Sequence, residues 1–180
     1  HKVQNYFEIY DEHFSKYINK KITFVEIGIH NGGSLEIWKK YFGSKVQIIA
    51  IDINPECKKF ENENIKIYIG DQTDENFISS IIKENKYPDI IIDDGGHTSN
   101  QQISSFNYLF EELKENGVYL VEDTHTSYDK NFQDRKDMLT FTEYAKALSS
   151  TQRPLSERVF GSRNVTYGLL PIITLGVEKL

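Results

Sequence analysis

Short runs of β-branched and aliphatic residues alternate along this chain with longer amphipathic stretches, and most of the apolar runs stop at an acid or a glycine. A strand buried on both faces reads as an unbroken apolar run, and its covering helix reads with a 3.6-residue period. The alternation therefore calls for βαβ units. Strands are expected at Ile22–Ile27, 46–51 ending on Asp52, Ile65–Ile69 ending on Gly70-Asp71, 89–92, and Val118–Val121 ending on Glu122-Asp123. Helices are expected over 3–17, with Phe7, Tyr10 and Phe14 at helical spacing, and over 35–42, 77–84 and 99–114, the last closed by Gly117 as its C′ residue. Beyond Tyr128 the alternation stops. A polar stretch, a helix near 138–148 and a closing hairpin over 165–177, with Pro171 at its middle, complete the reading. The fold class is α/β: a mostly parallel twisted sheet with helices on both faces and a C-terminal antiparallel hairpin.

At 180 residues this is expected to be one domain over 1–180. The chain opens on His1 rather than Met, so trimming at the N-terminus is expected. No apolar run approaches the roughly 18–20 residues of a membrane span, and no signal-peptide core is visible. The net charge of −6 is spread without a basic stripe, which argues against a nucleic-acid partner. Cys57 is the only cysteine, so an internal disulfide and a cysteine zinc site are excluded and a cytoplasmic location is expected. The abundance of Lys, Ile and Asn points to a bacterial source with an AT-rich genome.

In open parallel sheets, ligands bind outside the carboxyl ends of the strands, where the strand order reverses. The first strand turns through Glu26-Ile27-Gly28-Ile29-His30-Asn31-Gly32-Gly33-Ser34. Its glycines permit a tight turn and a close ligand, but the spacing is not G-x-G-x-x-G, so a pyrophosphate fingerprint is unmatched. An acid before the first glycine suits a ligand with a positive centre, as in S-adenosylmethionine (SAM), whose sulfonium and ammonium are cationic. Asp52 can bind a ribose diol and Asp71 an adenine amino group. Cofactor contacts are expected from Glu26, Gly28, Asn31, Gly32, Ser34, Asp52, Asp71, Gln72 and Asp93. Taken singly, each could instead be a turn former or a solvated strand end.

The fourth strand exits into Asp93-Asp94-Gly95-Gly96-His97 and the fifth into Glu122-Asp123-Thr124-His125. One strand-helix-strand crossover separates the two motifs, so their acids should lie side by side. Asp94, Glu122 and Asp123 would repel one another unless a divalent cation joined them, and oxygen donors favour Mg²⁺ or Mn²⁺. His97 is then placed to act as general base on a hydroxyl that attacks the sulfonium methyl. His125 and Tyr128 are expected at the acceptor mouth, unless they pack beneath the loop.

The motifs Val-Glu-Ile-Gly at 25–28 with Gly-Gly-Ser at 32–34, Gly-Asp-Gln at 70–72, Asp-Asp-Gly-Gly-His at 93–97 and Val-Glu-Asp-Thr-His-Thr-Ser-Tyr at 121–128 resemble those of the metal-dependent sugar O-methyltransferases. The mycinamicin-type macrolide sugar enzymes and the cephalosporin hydroxylase-like group are the similar families. The resemblance implies a Rossmann-like SAM methyltransferase fold, Mg²⁺ on Asp94, Glu122 and Asp123, and His97 as base. It covers roughly residues 5–128, with Gly96 where the family usually has Ser, and lacks the larger N-terminal domain of the macrolide enzymes. It implies a sugar or sugar-nucleotide acceptor, and family members are often homo-oligomers. The acceptor expected is a sugar nucleotide of bacterial surface-polysaccharide biosynthesis, with a macrolide or other natural-product sugar as the alternative.

A nicotinamide oxidoreductase on a similar sheet would want G-x-G-x-x-G and a Tyr-x-x-x-Lys pair, yet Tyr119, Tyr128 and Tyr144 all lack Lys four positions on. A non-catalytic SAM-binding subunit would lose the acidic cluster or the base, and this sequence keeps both.

Overall fold

The apolar runs become strands because each can be covered on both faces by its own crossover helices. The computed structural model describes residues 4–85, 87–134, 139–150 and 172–174. Within them β1 (Ile22–Ile27), β2 (Val46–Asp52), β3 (Ile65–Ile69), β4 (Ile90–Asp93), β5 (Val118–Val121) and β6 (Ile172–Thr174) form one sheet. The order is β3-β2-β1-β4-β5-β6 and every neighbouring pair is parallel. The order reverses between β1 and β4, the position where open sheets of this kind bind ligands.

Side-chain alternation sends each strand's residues into two cores. On one face Phe24, Ile48 and Ile92 meet α1 (Gln4–Phe14) and α2 (Gly33–Phe42) through Tyr6, Tyr10, Phe14, Trp38 and Phe42. On the other, Val25, Ile49 and Ile91 meet α3 (Glu75–Asn85), α4 (Ser99–Leu109) and α5 (Phe141–Ser150) through Ile78, Phe106 and Phe141. The buried stripe of α1 is Tyr6-Tyr10-Phe14; Phe7, expected in that stripe, is 45% exposed. No helix among the described residues is long and apolar enough to cross a membrane.

The ladder continues past the strands and fixes where the loops begin. Gly28 N donates to Ile51 O, Asp94 N to Ile27 O, Glu122 N to Asp93 O and Gly70 N to Asp52 O, all within 2.8–3.0 Å. Immediately after the fourth-strand loop, Thr98 and Gln101 form a reciprocal capping box that starts α4 and anchors the loop's far end.

One expectation needs correction. The helix over 99–114 ends earlier, passing from α4 into a 3₁₀ turn at Phe110–Glu112, so Gly117 is not its C′ residue. Asn116 takes the left-handed conformation before β5 (φ 65°). Position 117 instead lacks room: a Cβ would lie 2.7 Å from Leu113 and 2.9 Å from the Asp89 carbonyl. Of the antiparallel hairpin expected over 165–177, only Ile172–Thr174 is described, and it pairs in parallel with β5. The rest of that segment, and Met138 of the expected helix, lie outside the described residues.

Candidate active site

The carboxyl ends of β1 to β5 open into one cavity of about 920 Å³, walled on one side by Tyr6 and Phe7 of α1. Gly28 sits at its floor with φ 81°, and a Cβ there would fall 2.1 Å from the Asp94 carbonyl. Only glycine lets the ends of β1 and β4 approach this closely. Among the described lining residues five are acidic (Asp52, Asp71, Asp94, Glu122, Asp123) and none is Lys or Arg. Such a lining favours cationic ligands over phosphate-bearing ones.

At the β2 side, Asp52 accepts from the backbone N–H groups of Ile29 and His30 through one oxygen and of Asn54 through the other. Burial pushes its pKa up, but these donors outweigh burial and hold the carboxyl below its usual range. Asp52 thereby braces the loop after β1. Ile53, on the rim beside it, is 71% exposed. Gly28, Asn31, Ser34, Asp52, Asp71 and Gln72 all line the cavity.

Glu26, Gly32 and Asp93 have other places. Glu26 is fully buried on the α1/α2 face, where its carboxylate accepts from the Ser34 hydroxyl (2.9 Å) and the Trp38 indole (3.1 Å). Gly32 adopts the left-handed turn that precedes α2, against the Phe60 ring. Asp93 points to the opposite face of the sheet, 1% exposed, and accepts from Gln72 Nε2 and Gly95 N. Burial pushes its carboxyl up to about 7. Gln72 also accepts from Gly96 N (2.9 Å), so besides lining the cavity it pins the loop after β4.

At the β4/β5 side, donor atoms of Asp94, His97 and Asp123 all lie within 4.8 Å of one another. His97 Nε2 is 4.0 Å from Asp94 Oδ1 and 3.8 Å from Asp123 Oδ2. His97 Nδ1 is buried without a hydrogen-bond partner. Two carboxylates at this spacing, in a lining without Lys or Arg, fit a divalent cation, with the His97 imidazole beside them. Glu122, also expected in the set, lines the cavity but is 2% exposed, its Oε1 accepting from the Tyr10 hydroxyl at 2.5 Å. Burial, and then the charge of Glu122, holds the Tyr10 phenol far above the usual tyrosine range, so it stays a donor.

Both His97 (φ 60°) and Asp123 (φ 54°) are left-handed, a region costly for residues with a Cβ. Thr126, buried between them, directs its hydroxyl to the carbonyls of both, each at 2.8 Å. His125 Nδ1 stands 3.9 Å from Asp123 Oδ1 without lining the cavity, and Tyr128 is 69% exposed and outside it. The sequence reading missed Tyr6 and Phe7, whose only signal was the aromatic stripe of α1.

A family model described as FtsJ-like methyltransferase matches residues 7–160. The chain is 32% identical over 142 residues to an 8-demethyl-8-alpha-L-rhamnosyl tetracenomycin-C 2'-O-methyltransferase of Streptomyces olivaceus, covering 75% of this chain and 37% of that protein. It is 34% identical over 135 residues to a mycinamicin VI 2''-O-methyltransferase of Micromonospora griseorubida, covering 71% and 33%. The chain thus spans about a third of the length of the curated relatives it matches. Among solved structures, the MycE methyltransferase of the mycinamycin biosynthetic pathway, in complex with Mg, SAH and mycinamycin VI, superposes with a TM-score of 0.72 at 32% identity. That match covers 79% of this chain and 39% of that one.

Proposed function

Because the chain belongs to the FtsJ-like methyltransferase family, we propose that it transfers the SAM methyl group to a hydroxyl of a sugar carried by a natural product, with help from Mg²⁺ or Mn²⁺. The observation that carries this reading is the joining, in one acid-lined cavity, of the Asp52 rim to the Asp94–His97–Asp123 cluster. The nucleoside end of SAM would lie over Gly28, Asp52 and Asp71, with its ammonium and sulfonium facing the acids. Asp94 and Asp123, with Glu122 behind them, would hold the cation, which when bound acidifies an alcohol. His97 takes the acceptor proton on Nε2, the nitrogen that faces both aspartates. Placing acceptor oxygen and methyl carbon in line supplies much of the acceleration.

The sugar-nucleotide acceptor of surface-polysaccharide assembly finds no support among the relatives, which are named for sugars on polyketides. The absence of Lys and Arg from the described lining also disfavours a diphosphate. Calorimetry with SAM, with and without Mg²⁺, tests the core of the reading on wild type and Asp94→Ala. Wild type should bind SAM, and Asp94→Ala should lose metal-dependent turnover on a glycoside panel. Failure of wild type to bind SAM would sink the proposal. His97→Ala should keep SAM affinity while turnover falls about 10²–10⁴-fold.

A further inference from the structure

We propose that Tyr6 and Tyr10 of α1 are positioning residues for the cation site, each phenol holding one of the consecutive carboxylates Glu122 and Asp123 in the orientation the ion requires. The inference rests on the cation-assisted reading above. Tyr10 donates to Glu122 Oε1 at 2.5 Å and Tyr6 to Asp123 Oδ1 at 2.9 Å. The two tyrosines stand one helical turn apart, so one face of α1 serves both acids.

The Tyr6 bond decides which oxygen of Asp123 faces inward. Oδ1 is held by the phenol, and Oδ2 is the oxygen 3.8 Å from His97 Nε2. Tyr10 is fixed by its own packing, 5.0 Å edge-on to Trp38 and stacked at 5.7 Å on Phe14. A donor on so rigid a ring leaves Glu122 few rotamers. A phenol is also the right kind of donor: it satisfies one lone pair of a buried carboxylate yet adds no charge. A lysine or arginine in its place would neutralise the acid and compete with the ion. Outer hydrogen bonds of this kind to ligating carboxylates affect metal affinity strongly.

Mn²⁺ titration followed by electron paramagnetic resonance, on the full chain, tests the assignment with Tyr6→Phe, Tyr10→Phe and the double variant. Tyr17→Phe is the control, since that phenol bonds the Asn116 carbonyl, away from the site. Mn²⁺ affinity should fall about tenfold in each single variant and further in the double, while Tyr10→Phe keeps SAM affinity near wild type, Tyr6→Phe keeps the melting temperature near wild type, and Tyr17→Phe changes neither affinity. Unchanged Mn²⁺ affinity in the double variant would overturn the proposal. So would parallel loss of Mn²⁺ binding, SAM binding and melting temperature in Tyr6→Phe, which marks a merely structural role. Should Tyr10→Phe fail to fold, the Tyr6→Phe comparison decides alone. A wild type that binds SAM but no Mn²⁺ would remove the cation-assisted reading and this inference together.

Discussion

An alanine at position 28 would push its methyl group to 2.1 Å from the Asp94 carbonyl while holding a left-handed φ of 81°. Neither neighbour can yield, because Gly28 N and Asp94 N are both tied into the sheet. Gly28→Ala should therefore cost about 2 kcal/mol or more in urea unfolding, with SAM binding lost as the β1 and β4 ends separate. The glycine was legible in the sequence as a turn former at a strand end; the carbonyl that makes it obligatory, on a strand far along the chain, was not. Glu26 shows the same limit. Its place before the first glycine pointed to a ligand contact, whereas the period-two alternation of β1 turns it toward Trp38 and Ser34. Asp94, His97 and Asp123 were readable as a group because strand ends bring such residues together whatever the side-chain details.

At the scale of elements, the two loops that carry the cluster are joined by one hydroxyl. Thr126 bonds the carbonyls of His97 and Asp123, the two left-handed residues of the cluster. Thr126→Val keeps the shape and the Thr126 N to Asp123 O bond but removes that link. Stability should fall by only about 1 kcal/mol, and turnover by about tenfold or more as His97 loses its alignment. Equal losses in chemical denaturation and in turnover assays would mean the loop is held by other contacts. Strands β1 to β5 were legible because their apolar runs are dense and end sharply. The place of β6 beside β5 was not, since a three-residue apolar segment next to a proline carries little periodicity. Helix α1 was read as an aromatic stripe alone, because periodicity identifies the buried face and says nothing of a phenol reaching an acid 112 residues away.

For the molecule as a whole, the cavity draws its walls from both sides of the sheet's order reversal and from α1. A ligand filling it must stabilise the domain globally. SAM at a hundredfold excess over its dissociation constant should add about 2.7 kcal/mol, raising the melting temperature by roughly 5–10 °C in a domain of this size. Absence of any shift would count against the proposed cofactor. The left-handed backbone at His97 and Asp123 has a further consequence. Selection for stability alone would favour glycine at both positions, which adopts that backbone freely. An imidazole and a carboxylate standing there mark two points where the chain has accepted a poorer fold in exchange for chemistry, so stabilising variants drawn from these positions should be the ones that lose activity.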